Sequence, residues 1–183
     1  MRLQSNALRP GGDGTNVLGT AANRWSTVYA ATGTINTSDA REKTAVAPLT
    51  EAEIAAAKQL SKEIGSYKFL QSIAEKGESA RMHVGMTVQR AIEIMESHNL
   101  VPFSYGFICY DEWGDEYMEH GAVEARDAVL KDDTVVSDAV VAKAAWTEQT
   151  RAAGNRYAFR YDQLVMFLMV GFEARLQALE DNL

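Results

Sequence analysis

The strongest constraint on the fold lies near the C-terminal end, where apolar residues recur at alternating spacings of four and three. The positions that carry this seam are Val165, Met169, Phe172, Leu176 and Leu179. Such a heptad pattern is typical of a helix that buries one face against other helices. We predict a helix over residues 162–183 with Asp162 as its N-cap. On periodicity alone, a core helix of a monomer and a coiled coil between chains fit the seam about equally well.

The first turns of this helix have a wider apolar face than the last ones. Leu164, Phe167 and Leu168 add apolar side chains beside the seam. We therefore expect the helix to begin inside a globular body and to project from it further on. The seam does not specify the number of helices in a bundle, because it lacks the regular isoleucine series that selects one oligomer over another.

Composition divides the chain near residue 37. Three arginines against one aspartate give residues 1–37 a net charge of +2, which leaves −9 for residues 38–183 of a chain whose total is −7. The first segment also holds five of the 13 glycines and is rich in Asn, Thr and Ala. This composition predicts short strands and tight turns that cannot bury a core of their own. We expect residues 1–37 to be the end of a β-structured shaft and residues 38–183 to form an α+β body.

Charge and cysteine content exclude several functions. The chain has 18 Lys and Arg against 25 Asp and Glu, which works against binding to nucleic acid or an anionic membrane. A single cysteine, Cys109, excludes an intrachain disulfide and a multi-cysteine zinc site. The longest apolar run, nine residues over 164–172, is half of what a bilayer crossing needs. We interpret the acidic residues within 111–119 as a solvated loop, and we expect neither a metal nor a cofactor.

The pattern of the body alternates between helices and strands. Thr50 and Glu53 form a capping box, which predicts a helix that ends at Gly65. Residues 82–84 read as a short strand leading into a helix that ends at His98. An aromatic strand over 105–110 precedes the acidic loop over 111–116. Residues 124–150 are Ala- and Val-rich, and their pattern leaves a helix and a hairpin open. We expect His98 to contact the helix-end carbonyls and His120 to be exposed.

Two motifs lie on either side of residue 37. The first is Leu18-Gly19 followed by Arg24-Trp25 and Val28-Tyr29, and the second is Ser38-Asp39-Ala40-Arg41-Glu42-Lys43. Together they resemble the junction, found in phage tail spikes and tail fibres, between a β-shaft and a C-terminal intramolecular chaperone that cuts itself off. This is the family of the endosialidase chaperone domains. The resemblance continues at 81–85, 105–113 and 160–162.

The resemblance implies a homotrimer held by a C-terminal coiled coil, with the preceding shaft of the same chain as the other partner. It also implies assembly in the cytoplasm of the bacterial host and cleavage of the Thr37-Ser38 bond. The shaft remnant would remain in the virion tail fibre, and the chaperone domain would be released.

Ser38 and Lys43 are the catalytic pair that the resemblance implies. A serine hydroxyl is a weak nucleophile and must lose its proton to a base as it attacks. Lysine can be that base only when its amine is neutral, which requires desolvation or a nearby positive charge. We expect Asp39 and Arg41 to orient the pair or to influence its charge, and His83 to hold Ser38 or the scissile carbonyl. Apart from the flanking motifs, a serine and a lysine five residues apart would carry almost no signal.

Two other functions are compatible with the sequence. The chain can be a non-cleaving trimeric cap or receptor-binding tip of a fibre, with Trp113 and Tyr117 as exposed contact residues. A Ser-Lys hydrolase acting on an external substrate is weaker, because no Ser-x-x-Lys active-site helix is present.

Overall fold

A computed structural model describes residues 2–4, 7–9, 11–13, 15–30, 38–127, 129–131 and 134–182, with the backbone alone at 2–4, 7–9, 129–131 and 134–137. The chain divides into two compact units. The first comprises Met1–Arg24 and Asp111–Arg156, and the second comprises Trp25–Tyr110 and Tyr157–Leu183. Within the described residues, no helix is both long and apolar enough to cross a bilayer.

The described residues form helices and short strands in mixed order, as predicted for an α+β chain with a long C-terminal helix. The helices are α1 (Glu51–Leu60), α2 (Leu70–Lys76), α3 (Val88–Ser97) and α4 (Tyr161–Glu180). The strands are β1 (Arg2–Gln4), β2 (Ala7–Arg9), β3 (Gly65–Tyr67), β4 (His83–Gly85), β5 (Ile108–Trp113), β6 (Glu116–His120), β7 (Val129–Lys131), β8 (Thr134–Ser137), β9 (Trp146–Arg151) and β10 (Gly154–Phe159). The strands associate in pairs, namely β1 with β2, β3 with β4, β5 with β10, β6 with β9 and β7 with β8.

The core of the second unit lies between α1, α3 and α4. It is closed by Phe107 and Ile108, which are both buried. The buried helix residues are Ala56, Ala57, Leu60, Val88, Ala91, Ile94, Met95, Leu164, Phe167 and Leu168. The α4 members of this set are the residues expected to enter a globular body, and that expectation is confirmed.

Helix α1 begins as predicted but ends early. The Thr50 hydroxyl accepts from the Glu53 backbone N–H, and the Glu53 carboxylate accepts from the Thr50 backbone N–H, so both halves of the capping box form. The predicted stop at Gly65 is wrong, because the Lys62 and Glu63 N–H groups bond to carbonyls three residues before them, which ends the α-helical pattern after Ser61. Gly65 instead begins β3.

Helix α4 begins one residue before the expected cap. The Arg160 carbonyl accepts from the Leu164 N–H, so Arg160 is the N-cap and Asp162 lies in the first turn. The prediction of Asp162 as N-cap is therefore wrong, although a carboxylate in the first turn still favours the helix dipole. The strand before α3 and the end of α3 at His98 are confirmed. The predicted last residue, Leu183, lies outside the described residues.

The acidic segment after residue 110 is mostly strand. Asp111, Glu112 and Trp113 belong to β5, and Glu116 begins β6, so only Gly114 and Asp115 connect the two strands. The predicted acidic loop over 111–116 is thus wrong, and so is the start of the aromatic strand at Tyr105, since β5 begins at Ile108. For residues 124–150 the hairpin alternative holds, because β7 pairs antiparallel with β8.

Candidate active site

Residues 38–43 form a self-contained turn. Residues Ala40–Glu42 are a short 3₁₀ helix capped by Asp39, whose Oδ1 accepts from the Arg41 backbone N–H at 2.9 Å. The Arg41 guanidinium also binds this carboxylate, with Nη2 2.5 Å from Oδ2. That hydrogen bond lowers the pKa of Asp39 and raises that of Arg41. The motif residues Asp39 and Arg41 therefore shape the turn together.

The turn brings the proposed catalytic pair into contact. Lys43 Nζ donates to Ser38 Oγ at 2.8 Å. The turn itself produces this contact, since the Lys43 backbone N–H bonds to the Ala40 carbonyl and reverses the chain toward Ser38. Both side chains are exposed in the single chain. The other member of the proposed cleavage site, Thr37, lies outside the described residues.

Arg41 directs its charge at Asp39 and not at Lys43. A guanidinium that is neutralised by a carboxylate is a poor source of positive field for a third group. This pairing fits the structural interpretation of Asp39 and Arg41 as residues that set the geometry of the turn.

His83 lies on β4 within an aromatic cluster. Its ring stacks on Tyr67 with the ring centroids 5.7 Å apart, and it packs against Phe69 in a T-shaped arrangement with the centroids 4.8 Å apart. Tyr67 faces His83 because β3 and β4 pair antiparallel in that register. We did not expect Tyr67 and Phe69 from the sequence, although their alternation around Lys68 is a strand signal. Contact of His83 with Ser38 or the scissile carbonyl stays a prediction.

Other side chains singled out in the sequence have mainly structural partners. His98 Nε2 lies 2.9 Å from Gln59 Oε1, so its ring joins α3 to α1 and does not bind the helix-end carbonyls. His120 is half-buried, contrary to expectation, because it stacks on Trp146 at 4.4 Å. Trp113 is also half-buried, with Nε1 donating to the Ala152 carbonyl at 3.1 Å. The described part of the chain groups no three His, Cys, Asp or Glu side chains around a possible metal position.

The heptad seam on α4 faces away from the core. Its members are 45–65% exposed, whereas Leu164, Phe167 and Leu168 on the other face are buried. The seam residues are Val165, Met169, Phe172, Leu176 and Leu179. An apolar stripe of this length in water is unfavourable for an isolated chain. One face of α4 thus packs within the chain, and the face that carries the seam is exposed.

Sequence and structure comparisons identify the class of protein. Residues 38–100 match the family model described as chaperone of endosialidase. The match begins at Ser38, the first residue of the proposed catalytic turn. Residues 38–100 therefore match the endosialidase chaperone family, and the resemblance inferred from the two motifs is confirmed.

Individual relatives agree with this assignment. The chain is 44% identical over 183 residues to the side tail fiber protein pb1 of Escherichia phage T5 and spans 12% of its length. The carboxy-terminal domain of the bacteriophage T5 L-shaped tail fiber, solved with its intra-molecular chaperone domain, superposes with a TM-score of 0.72 at 40% identity, covering 96% of this chain and 38% of that one. A structure described as a novel intramolecular chaperon gives a TM-score of 0.53 at 29% identity, covering 77% of this chain and 99% of that one.

Proposed function

We propose that this chain is the intramolecular chaperone of a phage tail fibre and that it releases itself by cutting the Thr37-Ser38 bond. The observation that carries the proposal is the 2.8 Å contact between Lys43 Nζ and Ser38 Oγ, at the start of the family match. Serine supplies the nucleophile, and lysine is the only basic group bonded to it among the described hydrogen bonds.

The reaction can be written with its protons balanced. Neutral Lys43 takes the proton of Ser38 Oγ as this oxygen attacks the Thr37 carbonyl carbon. The C–N bond breaks, Lys43 returns the proton to the leaving nitrogen, and an ester joins the Thr37 acyl group to Ser38 Oγ. Water then hydrolyses the ester, which leaves a carboxylate on Thr37 and a free amine and hydroxyl on Ser38. The nucleophile lies next to the bond it cuts, so little orientation entropy opposes the first step.

Trimerisation through the α4 seam supplies the missing condition for this chemistry. In the single chain the Lys43 side chain is exposed to water. Association of three chains would cover the open seam and remove water from the surfaces around the turn. Desolvation lowers the pKa of a lysine, and cutting would then follow assembly.

The chaperone role follows from the difficulty of folding an interchain β-shaft. Such a shaft has no local contacts to start it, because each contact closes between separate chains. A trimeric body next to the shaft raises the effective concentration of the three strands and sets their register. Cleavage then makes assembly irreversible, with the shaft kept in the virion and the body released in the host cytoplasm.

Intact mass and N-terminal sequence of the freshly expressed chain test the proposal. We expect the wild type to give a fragment that begins at Ser38, whereas Ser38→Ala and Lys43→Ala remain full length. Lys62→Ala is the matched control, because Lys62 is an exposed lysine outside the turn, and this variant should be cut like the wild type. A folded trimer that stays uncut in the wild type would instead establish a permanent cap, which is the rival function.

A further inference from the structure

The turn over residues 19–23, before the proposed cleavage site, is closed by its own hydrogen bonds. Gly19 has a φ of 82°, which favours glycine, and the Thr20 backbone N–H donates to the Asn23 carbonyl at 2.9 Å. The Asn23 N–H in turn donates to Thr20 Oγ1 at 3.0 Å. Ala21 lies at the tip of this turn and is half-buried. The first motif of the sequence thus builds a compact loop on the shaft side of the chain.

Arg156 binds the tip of this loop. Its Nη1 donates to the Ala21 carbonyl, and the side chain is partly buried. Ala21 and Arg156 belong to the same compact unit, which joins Met1–Arg24 to Asp111–Arg156. We call residues 111–156 the arm, because they leave the helical core at Asp111 and return to it after Arg156. The bond from Arg156 to the Ala21 carbonyl thus joins the arm to the shaft segment.

The arm holds Arg156 in place through Trp113. The guanidinium carbon lies 5.4 Å from the centre of the Trp113 ring, within the range of a cation–π contact. Trp113 is fixed by its bond to the Ala152 carbonyl and by Gly154, where an added Cβ would lie 3.0 Å from the ring. Asp115 closes the same end of the arm, because its Oδ1 accepts from the Ala153 N–H at 2.7 Å.

The net charges of residues 1–24 and of the arm also favour their association. The arm carries eleven acidic against five basic residues, a net charge of −6, and residues 1–24 carry +2 from three arginines and one aspartate. Opposite net charges attract across solvent, and salt screens that attraction. The opposite net charges of the two sequence segments therefore favour their association, and one arginine of the arm binds a neutral carbonyl of residues 1–24.

We infer that Arg156 is a holding residue that keeps the cut shaft segment bound to the chaperone after the Thr37-Ser38 bond is broken. The inference rests on the proposed function, since it concerns the state that follows cutting. Arg156 binds the backbone of the Gly19–Asn23 loop, and Trp113 holds its guanidinium in position. Cutting and release are then separate events, and release requires the loss of this contact.

The test measures how tightly the two pieces stay together. The cut chain carries a fluorophore on its N-terminal amine, and anisotropy over a dilution series gives the dissociation constant of the fragment. A hydrogen bond from a charged donor predicts a weakening of about 10- to 100-fold for Arg156→Ala. Arg156→Lys keeps the charge but loses the planar contact with Trp113, so we expect it to restore only part of the affinity. Circular dichroism checks that both variants fold.

The matched control is Arg126→Ala, which removes an exposed arginine from the same arm and should leave the affinity unchanged. Equal affinity of Arg156→Ala and wild type would overturn the inference, and so would immediate loss of the wild-type fragment on cutting.

A second variant tests whether the fragment is retained, independently of self-cleavage. It carries Ser38→Ala and a recognition sequence for a site-specific protease in place of residues 31–36. Retention of its fragment after protease treatment supports the holding role even if the wild type never cuts itself. Release of that fragment overturns the holding role while leaving autoproteolysis standing.

Discussion

Gly171 on α4 lies against the backbone of α1, and replacing it tests how the body is packed. A Cβ built at this buried position would lie 2.6 Å from the Ala57 carbonyl carbon, 2.7 Å from the Lys58 nitrogen and 2.9 Å from the Ala57 Cβ. Two of these three atoms belong to the backbone of α1. A side-chain rotation cannot relieve such contacts, so Gly171→Ala must push the two helices apart.

The change in the free energy of unfolding caused by Gly171→Ala is the difference between two opposing contributions. Alanine is the better helix former by about 1 kcal/mol, which favours the variant. Overpacking of a tight core costs about 1–3 kcal/mol, and backbone contacts below 3.0 Å at Gly171 place this change at the upper end. We therefore expect Gly171→Ala to lower the free energy of unfolding by about 2 kcal/mol, or Tm by about 4–8 °C for a chain of this size.

Urea unfolding at a fixed protein concentration measures the change in the Ser38→Ala background, which keeps the chain intact. Gly65→Ala is the matched control, because an added Cβ there meets no atom within 4 Å. The double variant with Ala57→Gly removes only the one side-chain contact, so it should not restore stability. A Gly171→Ala chain as stable as the wild type would refute the close approach of α1 and α4.

Three further predictions concern the cap, the seam and the base. Glu53→Gln should cost about 1 kcal/mol at pH 7. The hydrogen bond from the Thr50 backbone lowers the pKa of Glu53, so the stabilisation by this carboxylate is full above its unfolded pKa of about 4.3 and is lost as the pH falls through the folded pKa. The difference in urea midpoint between variant and wild type should therefore be smaller at pH 3 than at pH 7. Phe172→Asp should weaken a trimer by more than about 100-fold and block cutting, with the exposed Glu173→Gln as control. Sedimentation that shows an unchanged trimer would contradict the role of the seam as the trimer interface. Lys43→Arg should slow cutting by at least about 100-fold, because a guanidinium stays protonated; a variant that cuts at the wild-type rate in a mass time course would exclude Lys43 as the base.

Local chemistry explains the parts of the fold that the sequence predicted correctly. The capping box at Thr50 and Glu53 needs only residues three apart, and both of its bonds form. The apolar spacing of α3 and the buried start of α4 follow from helical geometry alone. The proposed catalytic contact is equally local, because Ser38 and Lys43 lie in one short turn.

The remaining features depend on partners that are distant in the sequence. Asp111 and Glu112 form strand where β5 pairs with β10, and no property of the acidic run itself indicates that pairing. The half-buried ring of His120 depends on Trp146, and the bond of Arg156 to Ala21 joins opposite ends of the chain. Residues 121–155 carry no recognisable motif, so the holding contact beside them was not predictable from the sequence.

The capped turn at Asp39 has a consequence for the timing of the proposed reaction. Every bond that shapes it joins residues within five positions of one another, so the turn needs no other part of the fold and can form as soon as Lys43 leaves the ribosome. The contact between Ser38 and Lys43 would then exist throughout synthesis, before any association of chains. If the proposed cutting is to wait for assembly, the control must therefore act on the surroundings of the turn and not on the distance between these two side chains.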